Sequence, residues 1–197
     1  MNKKVMMLCE SAVMIALATV LSLVKIEWPF GGSITICSML PILLIAYRYN
    51  VAWGCFTGLV YGLIQLLFGM SNFAYATSGL AVAMIALFDY LVAYGAIGLG
   101  GVFRKIKNQA VGLCLGAVLA GFLRFVCHFI SGVTVWAGFA EDMPAWLYSL
   151  TYNGAYMLPE TIILVVGAVI VGFVVDFRSP TLKAVKRQRD VASKSGR

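Results

Sequence analysis

The chain has 197 residues, of which 61% are hydrophobic and 12% charged, with a formal net charge of +7 and a mean hydropathy of +0.92. A water-soluble domain of this length could not hide so much apolar surface, so composition excludes one and points to an all-α integral membrane bundle. The basic excess could suggest nucleic acid, but its distribution along the chain fits membrane insertion better.

A helical crossing needs about 20 mostly apolar residues. Six runs are predicted to supply one: Val5 to Val24, Ile34 to Tyr47, Val51 to Phe68, Leu80 to Val102, Ala110 to Trp136 and Ala145 to Val175. The first carries lysines and an apolar run, as a signal peptide would. It has no small-x-small cleavage site before Lys25 and is too long, so it is expected to stay as a span. The second is short and contains Pro41. It is expected to be tilted and irregular, or continued by backbone from Gly31-Gly32-Ser33.

Lys3 and Lys4, Arg48, the Arg104-Lys105-Lys107 cluster and the basic residues from Arg178 onward fall at alternate connections. The other connections carry Glu27, Glu141 and Asp142 against Lys25. This bias predicts six transmembrane helices in the plasma membrane with both termini cytoplasmic. Residues 1–178 then form the transmembrane domain and 179–197 a basic cytoplasmic tail, which would meet anionic lipid at about 1 kcal/mol per basic residue.

No GxxxxGK[ST] loop occurs, so ATP hydrolysis by this chain is not expected. No internal repeat is evident, which weighs against inverted-repeat secondary transporters. Cys9, Cys37, Cys55, Cys114 and Cys127 form no CxxC pair and read as packing residues, with no metal site or disulfide framework. Gly54, Gly58 and Gly62 recur at four-residue spacing, as do Gly112, Gly116 and Ala120, and Ala12 and Ala16. Such stripes let helix backbones approach closely in lipid.

Polar groups inside apolar runs are costly and mark sites. Arg124, His128, Gly132 and Trp136 follow at intervals of four, one face of a helix. Tyr148, Tyr152 and Tyr156 make a second stripe with Asn153 between them, and Asp89 and Tyr90 stand in the fourth run. All are expected toward the outer side of the membrane, whereas a proton path would need polar groups throughout. Asp89 and Arg124 could instead neutralise each other as an intramembrane pair. Glu10 and Glu160 are left outside the site. A carboxylate among Tyr, Trp and His favours a flat cation, since aromatic faces attract cations by roughly 0.5 to 2 kcal/mol. Asn153 and His128 offer both donors and acceptors for the edge of a heterocycle. The residues alone reach a small cationic heterocycle and no further.

The segment Leu123-Arg-Phe-Val-Cys-His-Phe-Ile-Ser-Gly132 with Trp136, and Trp146-Leu-Tyr-Ser-Leu-Thr-Tyr-Asn-Gly154, resemble the thiamine-specific S-component of energy-coupling-factor transporters, the ThiT (YuaJ) family. Gly31-Gly-Ser-Ile, Leu40-Pro-Ile-Leu-Leu and Asp89-Tyr-Leu-Val-Ala93 extend the likeness over nearly the whole chain to about Val175. The resemblance implies a six-helix membrane subunit without catalytic residues or cofactor. Such a subunit binds thiamine from outside and delivers it with a transmembrane coupling protein and two ATPases, all of one ABC-type importer. By position it makes Asp89 the acidic ligand, Tyr90 its neighbour and Arg124 a basic position. His128, Gly132, Trp136, Tyr148 and Asn153 line the pocket, and Tyr75 is an aromatic-wall candidate. Ala12 and Ala16 match the family's AxxxA docking motif. The sequence departs from the family in two places: the acidic position is Asp where members can have Glu, and Gly32 falls near a first-loop tryptophan that Trp28 or Phe30 could replace.

Three alternatives remain at this stage. An S-component for another vitamin would fit the same architecture, and a proton-coupled transporter of a cationic heterocycle could use Asp89 and His128. An intramembrane enzyme would need a nucleophile and base, or a metal cluster, which one histidine and one nearby carboxylate supply poorly.

Overall fold

The computed structural model describes residues 2–29, 31–179 and 182–185. Most of the helices begin where the sequence offers a side chain to satisfy the free backbone N–H groups of a first turn. Asn2 caps α1 (Lys3–Leu23), Asn50 caps α3 (Val51–Phe68) and Asn108 caps α5 (Gln109–Thr134), each through its side-chain oxygen. Ser78 does the same for α4, which runs over Gly79–Lys105. Helix α6 (Ala145–Val174) starts directly after Pro144, whose fixed backbone suits a helix entrance.

These five helices, α1 and α3 to α6, are long and apolar enough to cross a bilayer among the described residues. The second expected span is corrected. Residues of the run from Ile34 to Tyr47 begin in strand β2 (Ser33–Thr35), and only Leu40–Arg48 forms a helix, α2. Pro41 sits in its first turn, where a missing N–H costs nothing, so the proline opens the helix and does not kink it. Nine residues rise about 14 Å, far short of the hydrocarbon layer. Every residue from Leu40 to Tyr47 is buried, so α2 is wrapped by the other helices and not by lipid.

Small residues set the close approaches. A Cβ on Gly58 would run into the Tyr94 carbonyl, one on Gly98 into the backbone of Gly54 and Cys55, and one on Gly116 into the Gly100 carbonyl. The stripes on α3 and α5 therefore pack within the molecule, as small-xxx-small contacts do in lipid. Outside this core, α1, α3, α5 and α6 present Val13, Leu63, Leu67, Phe122, Leu158 and Phe173 as exposed apolar side chains, the lipid-facing counterpart of the apolar runs. Ala12 and Ala16 lie on an exposed face of α1.

At one end of the bundle Arg48 binds Glu10 of α1 through Nε at 2.5 Å and Nη2 at 3.0 Å, and reaches the Ser179 carbonyl at 3.1 Å. Arg178 reaches the Tyr47 hydroxyl at 2.7 Å and the Lys107 carbonyl at 3.0 Å. Gln109 closes this end by donating to the Val175 carbonyl at 2.6 Å. Glu10 thus belongs to a structural network far from Asp89. Strand β3 (Val175–Asp176) pairs here with β4 (Lys183–Ala184), and the tail cations beyond Val185 lie outside the described residues.

At the opposite end β1 (Lys25–Glu27) pairs antiparallel with β2, Ile26 opposite Ile34, forming a hairpin between α1 and α2. Replacing Gly58 by Leu would force α3 and α4 apart. Overpacking of this kind costs about 1–3 kcal/mol, so a markedly lower melting temperature in detergent is expected, whereas Leu63→Ala on the lipid face should leave it nearly unchanged.

Candidate functional site: an aromatic cavity around Asp89

Helix α4 is not uniformly α-helical. It is α-helical over Gly79–Met84 and π-helical over Ile85–Leu91, and it ends in a 3-10 stretch at Ala96–Lys105. Widened π turns are rare and recur at functional sites because they re-aim neighbouring side chains. Here the turn leaves the consecutive residues Asp89 and Tyr90 both facing inward and both 8% exposed.

Three neighbours hold the Asp89 carboxylate. Ser131 Oγ donates to Oδ2 at 2.8 Å, Trp136 Nε1 donates to Oδ2 at 3.2 Å, and His128 Nδ1 lies 3.1 Å from Oδ1. A carboxylate only accepts, so a ring proton belongs on Nδ1, and in the neutral ring Nε2 is then an acceptor. That nitrogen is buried and has no protein partner. His128, Ser131 and Trp136 come from α5 and the 3-10 turn Trp136–Phe139 that follows it, so α4 and α5 build the acidic centre together.

Around this centre lies a cavity of about 750 Å3 at the hairpin end of the bundle. It is lined by Asp89, Tyr90, Arg124, His128, Gly132, Trp136, Tyr148, Asn153 and Tyr75, so all nine residues expected from sequence meet in one space. Their roles differ. Tyr75, in the 3-10 turn Met70–Tyr75, packs at 5.6 Å from the Trp136 ring and 5.8 Å from Phe139, forming an aromatic rim. Tyr148 stacks on Tyr152 at 5.5 Å, and Tyr152 meets Tyr156 edge-on at 5.9 Å. Tyr90 accepts from Asn72 Nδ2 at 2.8 Å and so ties the 70–75 turn to α4. Gly132 admits α6, because a Cβ there would strike the Ser149 hydroxyl.

Two expectations change. Asn153 spends its amide inside the protein: Nδ2 donates to the Ser149 carbonyl at 3.0 Å and to the His128 carbonyl at 3.3 Å, while Oδ1 accepts from Tyr156 at 3.0 Å. It joins α6 to α5 and shapes the wall. The possible Asp89–Arg124 pair does not form, because Arg124 Nη1 binds Glu160 Oε2 at 2.5 Å. Glu160 follows Pro159 within α6 and is 2% exposed. Its other oxygen accepts from Thr35 Oγ1 at 2.5 Å.

Ser131 and Glu160 are among the polar groups around the site that sequence reasoning left out, as are Thr35, Asn72 and Tyr94. Serine is small and common in apolar helices, so Ser131 gave no signal. Glu160 was visible as an intramembrane acid, but the α5–α6 packing alone shows which cation it meets.

The hairpin covers part of the cavity wall. Its turn closes through Gly31 N donating to the Trp28 carbonyl at 2.9 Å, and Gly31 and Gly32 take φ of +93° and +77°, values that glycine adopts without strain. A Cβ on Gly31 would come within 2.6 Å of the Tyr152 ring, and one on Gly32 would strike Tyr156. Trp28 packs against Ile34, Tyr156 and Met157 beside the cavity, and Phe30 lies outside the described residues. Among the described residues no cluster of three or more His, Cys, Asp or Glu has a metal-binding arrangement.

Comparison with known proteins agrees with this architecture. A family model described as thiamine transporter protein (Thia_YuaJ) matches residues 8–179. The chain is 39% identical over 176 residues to the thiamine transporter ThiT of Bacillus subtilis, covering 82% of this chain and 88% of that one. It is 24% identical over 177 residues to the ThiT of Lacticaseibacillus paracasei, covering 84% and 86%. The solved structure of ThiT from Listeria monocytogenes superposes with a TM-score of 0.70 at 28% identity, over 87% of this chain and 95% of that one. These relations and the five apolar helices make the protein a multi-pass protein of the cell membrane. With the family model spanning most of its length, the chain belongs to the thiamine transporter family, a family of transporters and not of enzymes.

Proposed function

We propose that the protein captures thiamine from outside the cell in the Asp89 cavity, as the substrate-binding subunit of an energy-coupling-factor importer. The observation that carries this reading is a buried carboxylate held by the Ser131 hydroxyl, the Trp136 indole and the His128 ring with no Arg or Lys against it, set within a cavity walled by tyrosine and tryptophan. Thiamine combines a cationic thiazolium with a flat aminopyrimidine. The cation would be matched by Asp89 and the aromatic faces, and the exocyclic amino N–H of the pyrimidine by an acceptor nitrogen on a neutral His128 ring. The cavity also falls within the 300–1,000 Å3 range usual for small-molecule sites. A proton-coupled carrier is less well supported, because the Arg48–Glu10 pair at the inner end is a closed ion pair remote from Asp89.

In this reading the chain crosses the membrane six times with both termini cytoplasmic. The second crossing would be made by β2, residues 36–39 and α2 together. Arg48 at the end of α2 meets Glu10 near the start of α1 and the carbonyl of Ser179, so these points share one face, and that face carries the basic residues. Residues 1–178 are then the transmembrane domain and 179–197 a cytoplasmic basic tail. The exposed Ala12 and Ala16 on α1 would dock the transmembrane coupling protein, with two ATPases supplying the energy. The hairpin is the closing element, turning on Gly31 and Gly32.

Calorimetric titration of the purified protein is expected to show tight thiamine binding. Asp89→Asn should weaken it by roughly 2–4 kcal/mol, the cost of removing a buried charge partner, and unchanged affinity would refute the assigned site. Gly32→Ala should slow and weaken capture, because the new methyl meets Tyr156; stopped-flow tryptophan fluorescence would read this as a lower association rate. Ala16→Trp should abolish co-purification with the coupling protein while leaving thiamine affinity intact, and retained co-purification would argue against docking through α1.

A further inference from the structure

We infer that Glu160, which does not line the cavity, sets the cavity's net charge and thereby its preference for a singly charged cation. The inference rests on the thiamine reading and names the residue that tunes that site.

Four lining side chains bear on the charge: Lys25, Asp89, Arg124 and His128. Both obligate cations have a carboxylate partner that is not part of the lining. Lys25 Nζ lies 3.9 Å from Glu27, with the two side chains 54% and 84% exposed, so solvent screens that charge. Arg124 is the consequential one. Its side chain is 8% exposed and Glu160's 3%, so neither is screened, and a guanidinium cannot shed its proton to escape. Glu160 Oε2 cancels it at 2.5 Å. Asp89 has no obligate cation against it: its neighbours are Ser131, Trp136 and the His128 ring, which lies 3.1 Å away. With a neutral imidazole the cavity therefore carries one net negative charge, that of Asp89.

Arg124 remains part of the wall. Its Nη2 reaches the Tyr94 hydroxyl at 3.3 Å, its guanidinium stacks 4.9 Å from the Tyr94 ring, and its Nε is buried without a protein partner. Were Glu160 not charged, that cation would face the same space as the incoming one and oppose it. Glu160 also takes the Thr35 hydroxyl at 2.5 Å and the Thr35 N–H at 3.4 Å, so it anchors the base of the hairpin to α6. A structural role and an electrostatic role thus meet in one carboxylate, and the two predict different mutant behaviour.

Removing either partner breaks the pair, but the consequences for charge are unequal. Glu160→Gln leaves Arg124 positive. Arg124→Met removes the cation and leaves Glu160 with the Thr35 donors alone, so no positive charge faces the ligand and the preference for a cation is not reduced. The test titrates wild type, E160Q, R124M and the double variant with thiamine and with an analogue whose thiazolium is replaced by an uncharged ring. The expected result is that E160Q loses about thirtyfold in affinity for thiamine and little for the neutral analogue, while R124M and the double variant, which alter the wall, lose affinity for both ligands alike and keep at least the wild-type ratio between them. Equal losses of cation preference in E160Q and R124M, or none in E160Q, would overturn the inference and leave a merely structural pair. If E160Q fails to bind even the neutral analogue because it does not fold, the double variant decides: a retained cation preference supports the charge assignment and a lost one refutes it. A wild type that binds thiamine no better than the neutral analogue would refute the thiamine reading itself.

Discussion

A carboxylate buried in a membrane bundle and held by neutral donors is the constraint on which the rest of this structure depends. Such a group is costly unless hydrogen-bonded, and the cost grows where no water can enter. Ser131 and Trp136 donate to one oxygen of Asp89 and His128 faces the other, so with a neutral imidazole the charge is solvated by protein dipoles and not cancelled by an obligate cation. What remains uncancelled is an attraction for a positive ligand. The aromatic walls strengthen that attraction without adding charge of their own.

The fold supplies this arrangement through small departures from regular helix. The π turn at Ile85–Leu91 aims two consecutive residues into the bundle, and Gly132 lets α6 come close enough for Asn153 to bond the backbone of α5. Glycines on α3, α4 and α5 do similar work deeper in the molecule, where they bring backbones together around α2. At the far end the Glu10–Arg48–Ser179 contacts and the Gln109 cap close the bundle with paired polar groups. The molecule is therefore asymmetric along its axis. One end is sealed, and the other holds a cavity under a hairpin whose turn rests on two left-handed glycines.

Much of the site was legible because of where its residues stand. A four-residue interval on an apolar helix fixes a face, and Arg124, His128, Gly132 and Trp136 do share one wall of the cavity. Asp89 announced itself by the cost of placing an acid in an apolar run. The partner of Arg124 was not legible, since Asp89 and Glu160 are both acids in neighbouring apolar segments and spacing along a chain carries no information about which helix packs where. The short run from Ile34 to Tyr47 was expected to be irregular because of its length and Pro41, but where its helix begins was not legible. Its apolar character reflects burial inside the protein, which composition does not distinguish from contact with lipid.

The sequence by itself determined that the chain lives in a membrane as helices, where most of those helices begin, and which polar residues lie in the apolar runs. Those follow from local chemistry: hydrocarbon forbids unpaired backbone, caps satisfy first turns, and charged groups are too costly to occur without a reason. Only the tertiary structure decided which charges cancel, which amides are spent on neighbouring helices, and how a hairpin seats against Tyr152 and Tyr156. Those outcomes depend on contacts between residues far apart in the chain, where a difference of one helical turn would exchange one partner for another.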